Sequence, residues 1–268
     1  MKMTGLILFV LLASCLTPFA QTAIPPVGTV FNESEWLADS ITGRKLLRLT
    51  KNRDFNQTPT YHINTGFSAD SKTMVFATWN KDGESALIEG NVITGDLKVV
   101  AVVPSTEKNH FNGNNVCMIP ASRKAAASRG GTKLYVYDLN TLGEKLLYAA
   151  EDGYSFGHPT GSADGKTIYI TKMPRYRQGI DNPYPDAFSI YYSIITDGLM
   201  FGKFITEIDW TKTDSQGIPI LNVLGAHNSG NHSFGQHTHP HCLMSPDGKY
   251  LSYNRGTQHK SDVYVLVL

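Results

Sequence analysis

Ser245-Pro246-Asp247-Gly248-Lys249 is a turn sequence, and it recurs as Ser162-Ala163-Asp164-Gly165-Lys166 and as Ser68-Ala69-Asp70-Ser71-Lys72. Each copy runs directly into β-rich residues: Tyr250-Leu251-Ser252-Tyr253, Thr167-Ile168-Tyr169-Ile170 and Thr73-Met74-Val75-Phe76. The three Asp residues stand 94 and 83 residues apart. Each interval holds two units of roughly forty residues, the period of a propeller blade. A weaker copy that has lost its Asp, Ile119-Pro120-Ala121-Ser122-Arg123-Lys124, lies between the first two.

The second half of each unit reads as a hairpin: 86–100 turning at Thr94-Gly95-Asp96, 134–148 turning between Asn140 and Gly143, and 188–208 turning at Asp197-Gly198. Apolar and polar residues alternate through Leu134-Tyr135-Val136-Tyr137-Asp138-Leu139, as a half-buried strand requires. After the first two dozen residues no stretch has helical periodicity. The expected fold is therefore all-β, a β-propeller with about four recognisable blades at 45–101, 102–150, 151–210 and 220–268. Lys45 to Thr50 is the candidate strand that closes the ring against the C-terminal blade. Four blades are few for such a ring. The polar residues between Asp209 and Pro219 read as a linker, and Met173 to Ala187, with three prolines, as a loop over one face.

The chemistry concentrates just before the last turn, in Gln236-His237-Thr238-His239-Pro240-His241, which holds three of the nine His of the chain. On an extended strand His239 and His241 share a face. Two imidazoles on one face are a chelating pair, and the Gln236 amide oxygen extends them to an N/O site for Mn, Zn or a similar divalent ion. The competing reading is an exposed polar loop. Counted back from the turn Asp, His158 and His241 both stand at six residues, and His62 and His239 both at eight. Equal parity places these imidazoles on one face of strands that, in a propeller, line the channel. The competing reading has each His packed alone. Gln236, His239, His241 and His158 form a neutral set that leaves a cation its full charge, available to neutralise a substrate carboxylate. Arg175 and Arg177, on the insert, could pair with further carboxylates or stand as solvated charges.

Composition narrows the partners. A net charge of +1 with 18% charged residues and no basic stripe argues against nucleic acid. Residues 1–23 begin with a Lys, run apolar from Leu6 to Leu16 and end in small or polar residues, the pattern of a secretory signal and too short for a membrane span. Leu12-Ala13-Ser14-Cys15 has the form of a bacterial lipobox, which would anchor the chain through lipidated Cys15; ordinary cleavage near Ala20 or Ala23 is the alternative. The chain is expected to be exported, whether periplasmic, lipid-anchored or extracellular. Residues 24–268 are expected to form one domain, held by its core because only Cys117 and Cys242 remain for disulfides.

The last unit resembles that of the oligogalacturonate lyases, seven-bladed propellers of polysaccharide lyase family 22. Gln236-x-x-His239-Pro240-His241, the Ser-Pro-Asp-Gly turn and Asp262-Val263-Tyr264-Val265-Leu266 follow that family's pattern. Thr42 to Thr50 looks like its first strand, and Tyr135 to Leu142 like its second blade. The resemblance implies β-elimination of short galacturonate oligomers from pectin, with Mn²⁺ held by the Gln and His set, a His base and an assisting Arg. It covers blades one, two, three and seven. The family's third metal His, catalytic His and catalytic Arg sit on blades four to six, which this chain lacks; His158 shares the repeat offset of the missing imidazoles and stands as candidate base or third ligand. Two other readings remain: a non-catalytic propeller that binds oligouronate, metal or a protein partner, and an internally deleted relative whose four blades need a partner to close.

Overall fold

The structure is a computed structural model that describes residues 23–51, 55–61, 63–106, 110–174, 204–213, 215, 219–226, 242–257 and 260–268. No helix occurs among them. The chain opens with β1 (Val30–Asn32), β2 (Glu35–Ala38) and β3 (Lys45–Arg48). Next come β4 (Phe55–Pro59), β5 (Thr73–Asn80), β6 (Ser85–Asn91) and β7 (Asp96–Val103), then β8 (Val116–Ile119), β9 (Lys124–Arg129), β10 (Lys133–Asp138) and β11 (Glu144–Ala149). Two hairpins follow, β12 (Tyr154–Gly161) with β13 (Ile168–Pro174) and β14 (Phe204–Thr213) with β15 (Pro219–Ala226). The last strands are β16 (Leu243–Met244), β17 (Tyr250–Thr257) and β18 (Lys260–Val267).

These strands make five antiparallel sheets, ordered β1-β7-β6-β5-β4, β11-β10-β9-β8, β12-β13, β14-β15 and β16-β17-β18-β3-β2. The fold is the expected all-β propeller, and the expected closing strand is in place: β3 pairs antiparallel with β18, Leu47 opposite Val265. The hairpins expected at 86–100 and 134–148 are β6-β7 and β10-β11. The linker reading fails. Asp209 to Thr213 ends β14 and Pro219 begins β15, so the polar stretch lies inside a hairpin. Trp210, Thr211 and Thr213 are residue types that suit a strand, and low hydropathy hid that preference. The stretch expected to pair with residues 204–208 in the 188–208 hairpin lies outside the described residues, as does the insert beyond Pro174.

Sheets stack face to face, and alternation along each strand shows how. On β5, Met74 and Phe76 join Leu47, Leu49, Val263 and Val265 of the closing sheet in one buried cluster. Their neighbours Val75 and Ala77 face the other way, into a cluster with Val116, Met118, Ala125 and Tyr137 of the second sheet. The far side of the second sheet packs Cys117, Ile119 and Leu134 on Phe156 of β12. The far side of the closing sheet packs Tyr253, Tyr264 and Leu266 on Leu224 of β15. Central strands are thus buried on both faces, which is why they read as near-continuous apolar runs, each large side chain contributing about 1.5–3 kcal/mol.

The repeated turn has one physical design. The hydroxyls of Ser68, Ser162 and Ser245 each donate to the carboxylate two residues on, Asp70, Asp164 and Asp247, at 2.6–2.7 Å. The same carboxylates accept the N–H of Lys72, Lys166 and Lys249 at 3.1–3.2 Å. The residue after the Asp is left-handed in every copy: Ser71 at φ 59°, Gly165 at 73° and Gly248 at 72°, with Arg123 at 52° in the degenerate copy. A left-handed arginine is strained; its guanidinium is anchored 2.6 Å from buried Glu89 in the neighbouring sheet.

Those bonds set an acid dependence. The Ser68 and Ser162 hydroxyls, and then the backbone N–H groups of Lys72 and Lys166, hold Asp70 and Asp164 below the ordinary carboxylate range; at Asp247 the Ser245 hydroxyl does most to bring the value to about 2. A depressed carboxylate stabilises the fold above its unfolded value of about 3.9, and that contribution is lost as the pH falls through the folded value. Replacing all three by Asn is expected to flatten the stability–pH curve below about pH 4, read from denaturant midpoints across that range.

Candidate functional site

β4, β8, β12 and β16 are each an edge strand of their sheet. The loop from Thr60 to Phe67, which follows β4, ties three of the sheets together at those edges. Thr65 accepts the Met118 N–H on its carbonyl at 2.7 Å, donates its hydroxyl to the Met118 carbonyl and accepts the Gly161 N–H at 3.0 Å. Its own N–H donates to Thr160 Oγ1 at 3.2 Å. One threonine thus joins the first sheet to β8 and β12.

His158 sits on β12 at this junction. Between Phe156 and Pro159 the pairing with β13 slips, Gly157 and His158 on β12 opposing the single residue Thr171 on β13. A bulge of this kind re-aims a side chain and is common beside functional sites. It also breaks the strict alternation on which the shared-face argument for His158 rests, so the imidazole's direction is set by the bulge and its neighbours. Tyr61 stacks on the ring, centroids 4.8 Å apart at 27°. Burial, opposed by a hydrogen bond to the Asn114 carbonyl, lowers the His158 pKa below its ordinary value, so the ring is neutral at pH 7. Its Nδ1 is buried with no hydrogen-bond partner. A buried lone pair without a donor costs about 1–3 kcal/mol, and it suits a cation or a substrate proton.

Sequence reasoning missed Asn64. Fully buried, it donates Nδ2 to the carbonyls of Asn114 at 3.1 Å and Val116 at 3.0 Å, which fixes the amide orientation and leaves Oδ1 without a partner. Asn64 and His158 therefore share the Asn114 carbonyl, and each keeps a buried acceptor. The signal was available: Asn64 precedes Asp70 by six residues, the offset of His158 from Asp164 and of His241 from Asp247.

The other candidates, Gln236, His239, His241, Arg175 and Arg177, and also His62, lie outside the described residues. The chain after His241 is described: Cys242 packs against the cluster of Tyr253 and Leu266, and Leu243 begins β16. His241 stands two residues before the first residue of β16 in sequence. Among the described residues no group of three or more His, Cys, Asp or Glu is placed to hold a metal. Two buried acceptors at this junction, Nδ1 of His158 and Oδ1 of Asn64, have no hydrogen-bond partner.

The position of β12 is tightly set. A Cβ on Gly161 would lie 2.7 Å from the Met118 carbonyl oxygen and 2.9 Å from Ile119 Cα. Backbone cannot yield as a side chain does, so Gly161→Ala is expected to cost about 1–3 kcal/mol, measured as a lowered melting temperature.

No family model matches the sequence, and no curated protein does. Solved structures do. An oligogalacturonate lyase from Vibrio parahaemolyticus superposes with a TM-score of 0.59 at 13% identity, covering 90% of this chain and 98% of the other. An oligogalacturonate lyase in complex with manganese superposes with a TM-score of 0.55, at the same identity and coverage. At that identity the likeness is one of fold.

Proposed function

We propose that this chain is an exported, oligogalacturonate lyase-like enzyme that carries out metal-assisted β-elimination on short galacturonate oligomers. The observation that carries the reading is the neutral, stacked His158 with an unpartnered Nδ1 on an edge strand of a propeller whose fold matches the lyase structures. Gln236, His239 and His241, two to seven residues ahead of β16, complete the proposed ligand set with His158. A divalent cation bound there, Mn²⁺ by analogy with the manganese complex, supplies positive charge that neutralises the uronate carboxylate and acidifies the proton at C5. His158 either ligates that cation or accepts the C5 proton on Nδ1. Tyr61 and the Asn114 carbonyl hold the imidazole in one orientation for either task. Arg175 and Arg177 are the proposed partners of further substrate carboxylates. The partner is an acidic oligosaccharide; membrane attachment would come only through a lipidated Cys15, and cleavage near Ala20 or Ala23 would remove it.

The test is incubation of purified protein with digalacturonate and Mn²⁺, followed by the ultraviolet absorbance of an unsaturated uronate. Chelator is expected to abolish the signal and added Mn²⁺ to restore it. Saturable binding of digalacturonate with no absorbance change would instead assign a non-catalytic oligouronate-binding propeller.

A further inference from the structure

The N-terminal end of the described chain is seated in a way the proposed activity does not explain. Ile24 is 7% exposed and belongs to the core cluster of the first sheet, with Phe55, Phe67 and Phe76, whereas Ala23 is exposed. The chain passes from solvent to core across a single peptide bond. At that bond the Ile24 nitrogen donates to Glu84 Oε2 at 3.0 Å. Glu84 is held for this contact by the β5–β6 hairpin: Asn80 Nδ2 donates to the same Oε2 at 3.2 Å, and Asn80 Oδ1 accepts the Glu84 N–H at 3.0 Å. A carboxylate pre-positioned by a buried amide is a stronger site for an ammonium than for a neutral peptide N–H.

We infer that the mature chain begins at Ile24 and that its α-ammonium forms an ion pair with Glu84. Ala23 is the small residue immediately before Ile24 and one of the two cleavage points that the end of the leader offers. Hydrolysis adds one water across the Ala23–Ile24 amide: the hydroxyl goes to the Ala23 carbonyl carbon, which leaves as a carboxylate, and the Ile24 nitrogen gains protons to become an ammonium. Because Ile24 is buried in the fold, cleavage precedes folding, and the new terminus locks in as the first sheet closes over it. Leader removal then completes a part-buried contact between the new terminus and the β5–β6 hairpin.

Two chains that differ by one residue test this, one starting at Ile24 and one at Ala23, both released from a fusion partner without extra residues. The Ile24 chain is expected to melt about 2–4 °C higher at pH 7, and the difference to vanish when both carry Glu84→Gln. Should Glu84→Gln fail to fold, acylation of the α-amine is read in the unsubstituted chains: the Ile24 amine is expected to react at least tenfold more slowly than the Ala23 amine. Equal melting temperatures and equal acylation rates would overturn the ion pair. Export of the full sequence, followed by intact mass, is expected to give a chain starting at Ile24; a start at lipidated Cys15 or at Gln21 would overturn the cleavage site.

Discussion

Asp262→Ala is expected to lower the unfolding free energy by about 3–5 kcal/mol, read as a shift in denaturant midpoint without a change in slope. The carboxylate is 6% exposed on β18, and it accepts Arg48 Nη2 of β3 at 2.7 Å, 214 residues away in sequence. Arg48 Nη1 reaches Glu35 of β2 at 2.8 Å, so one guanidinium joins the three outer strands of the closing sheet. Burial acts to lower the Arg48 pKa, but the bonds to Asp262 and Glu35 outweigh it and raise the value above the usual one. Removing Asp262 leaves the burial and takes away the larger compensation. The damage falls on the seam that joins the two ends of the chain, where β3 and β18 pair over only three residues. The double variant Arg48→Met/Asp262→Leu separates the charge from the seam. An apolar pair of similar bulk is expected to recover most of the loss, because a buried ion pair seldom stabilises more than well-packed apolar groups do.

That seam was legible in the sequence because a closing strand must be apolar and lie near a terminus, and Leu46, Leu47 and Leu49 satisfy both. The turns were legible because the same two side chains, Ser and Asp, recur two residues apart and make the same bonds each time. The fourth, Ile119 to Lys124, was recognisable without its Asp from its place between the first two copies, and in the fold Arg123 takes the left-handed position that Gly165 and Gly248 hold. Two features resisted reading. β14 and β15 show no turn motif of the repeated kind, and their polar residues look like a linker until the pairing partner is known. Asn64 was passed over because histidine alone was followed through the repeat. Its amide stands at the equivalent position and shares a carbonyl with His158, a relation set by three sheets converging that no single segment encodes.

Under the lyase reading, His158→Ala is expected to reduce elimination of digalacturonate by about 10²–10⁴-fold, the range of a lost general base, and more if the cation goes with it. Metal content separates the two roles: an apo protein after substitution assigns His158 as a ligand, a loaded but inactive one assigns it as the base. Unchanged metal and unchanged turnover would remove His158 from the site. The pH profile gives an independent check. Burial favours the neutral ring, so in the folded chain Nδ1 stays unprotonated at the ordinary histidine value of about 6.5 and protonates only below it. Turnover that uses the lone pair is therefore expected to hold from neutrality down past that value and fall on its acid side. Stability moves in the same direction, because the unfolded chain takes up the proton first, so the fold weakens as the pH drops below about 6.5. His158→Gln keeps a polar group beside Tyr61 but offers no imidazole lone pair. It is expected to remove both the acid limb of the rate and this part of the stability loss, an outcome that a purely packing role for the ring would not produce.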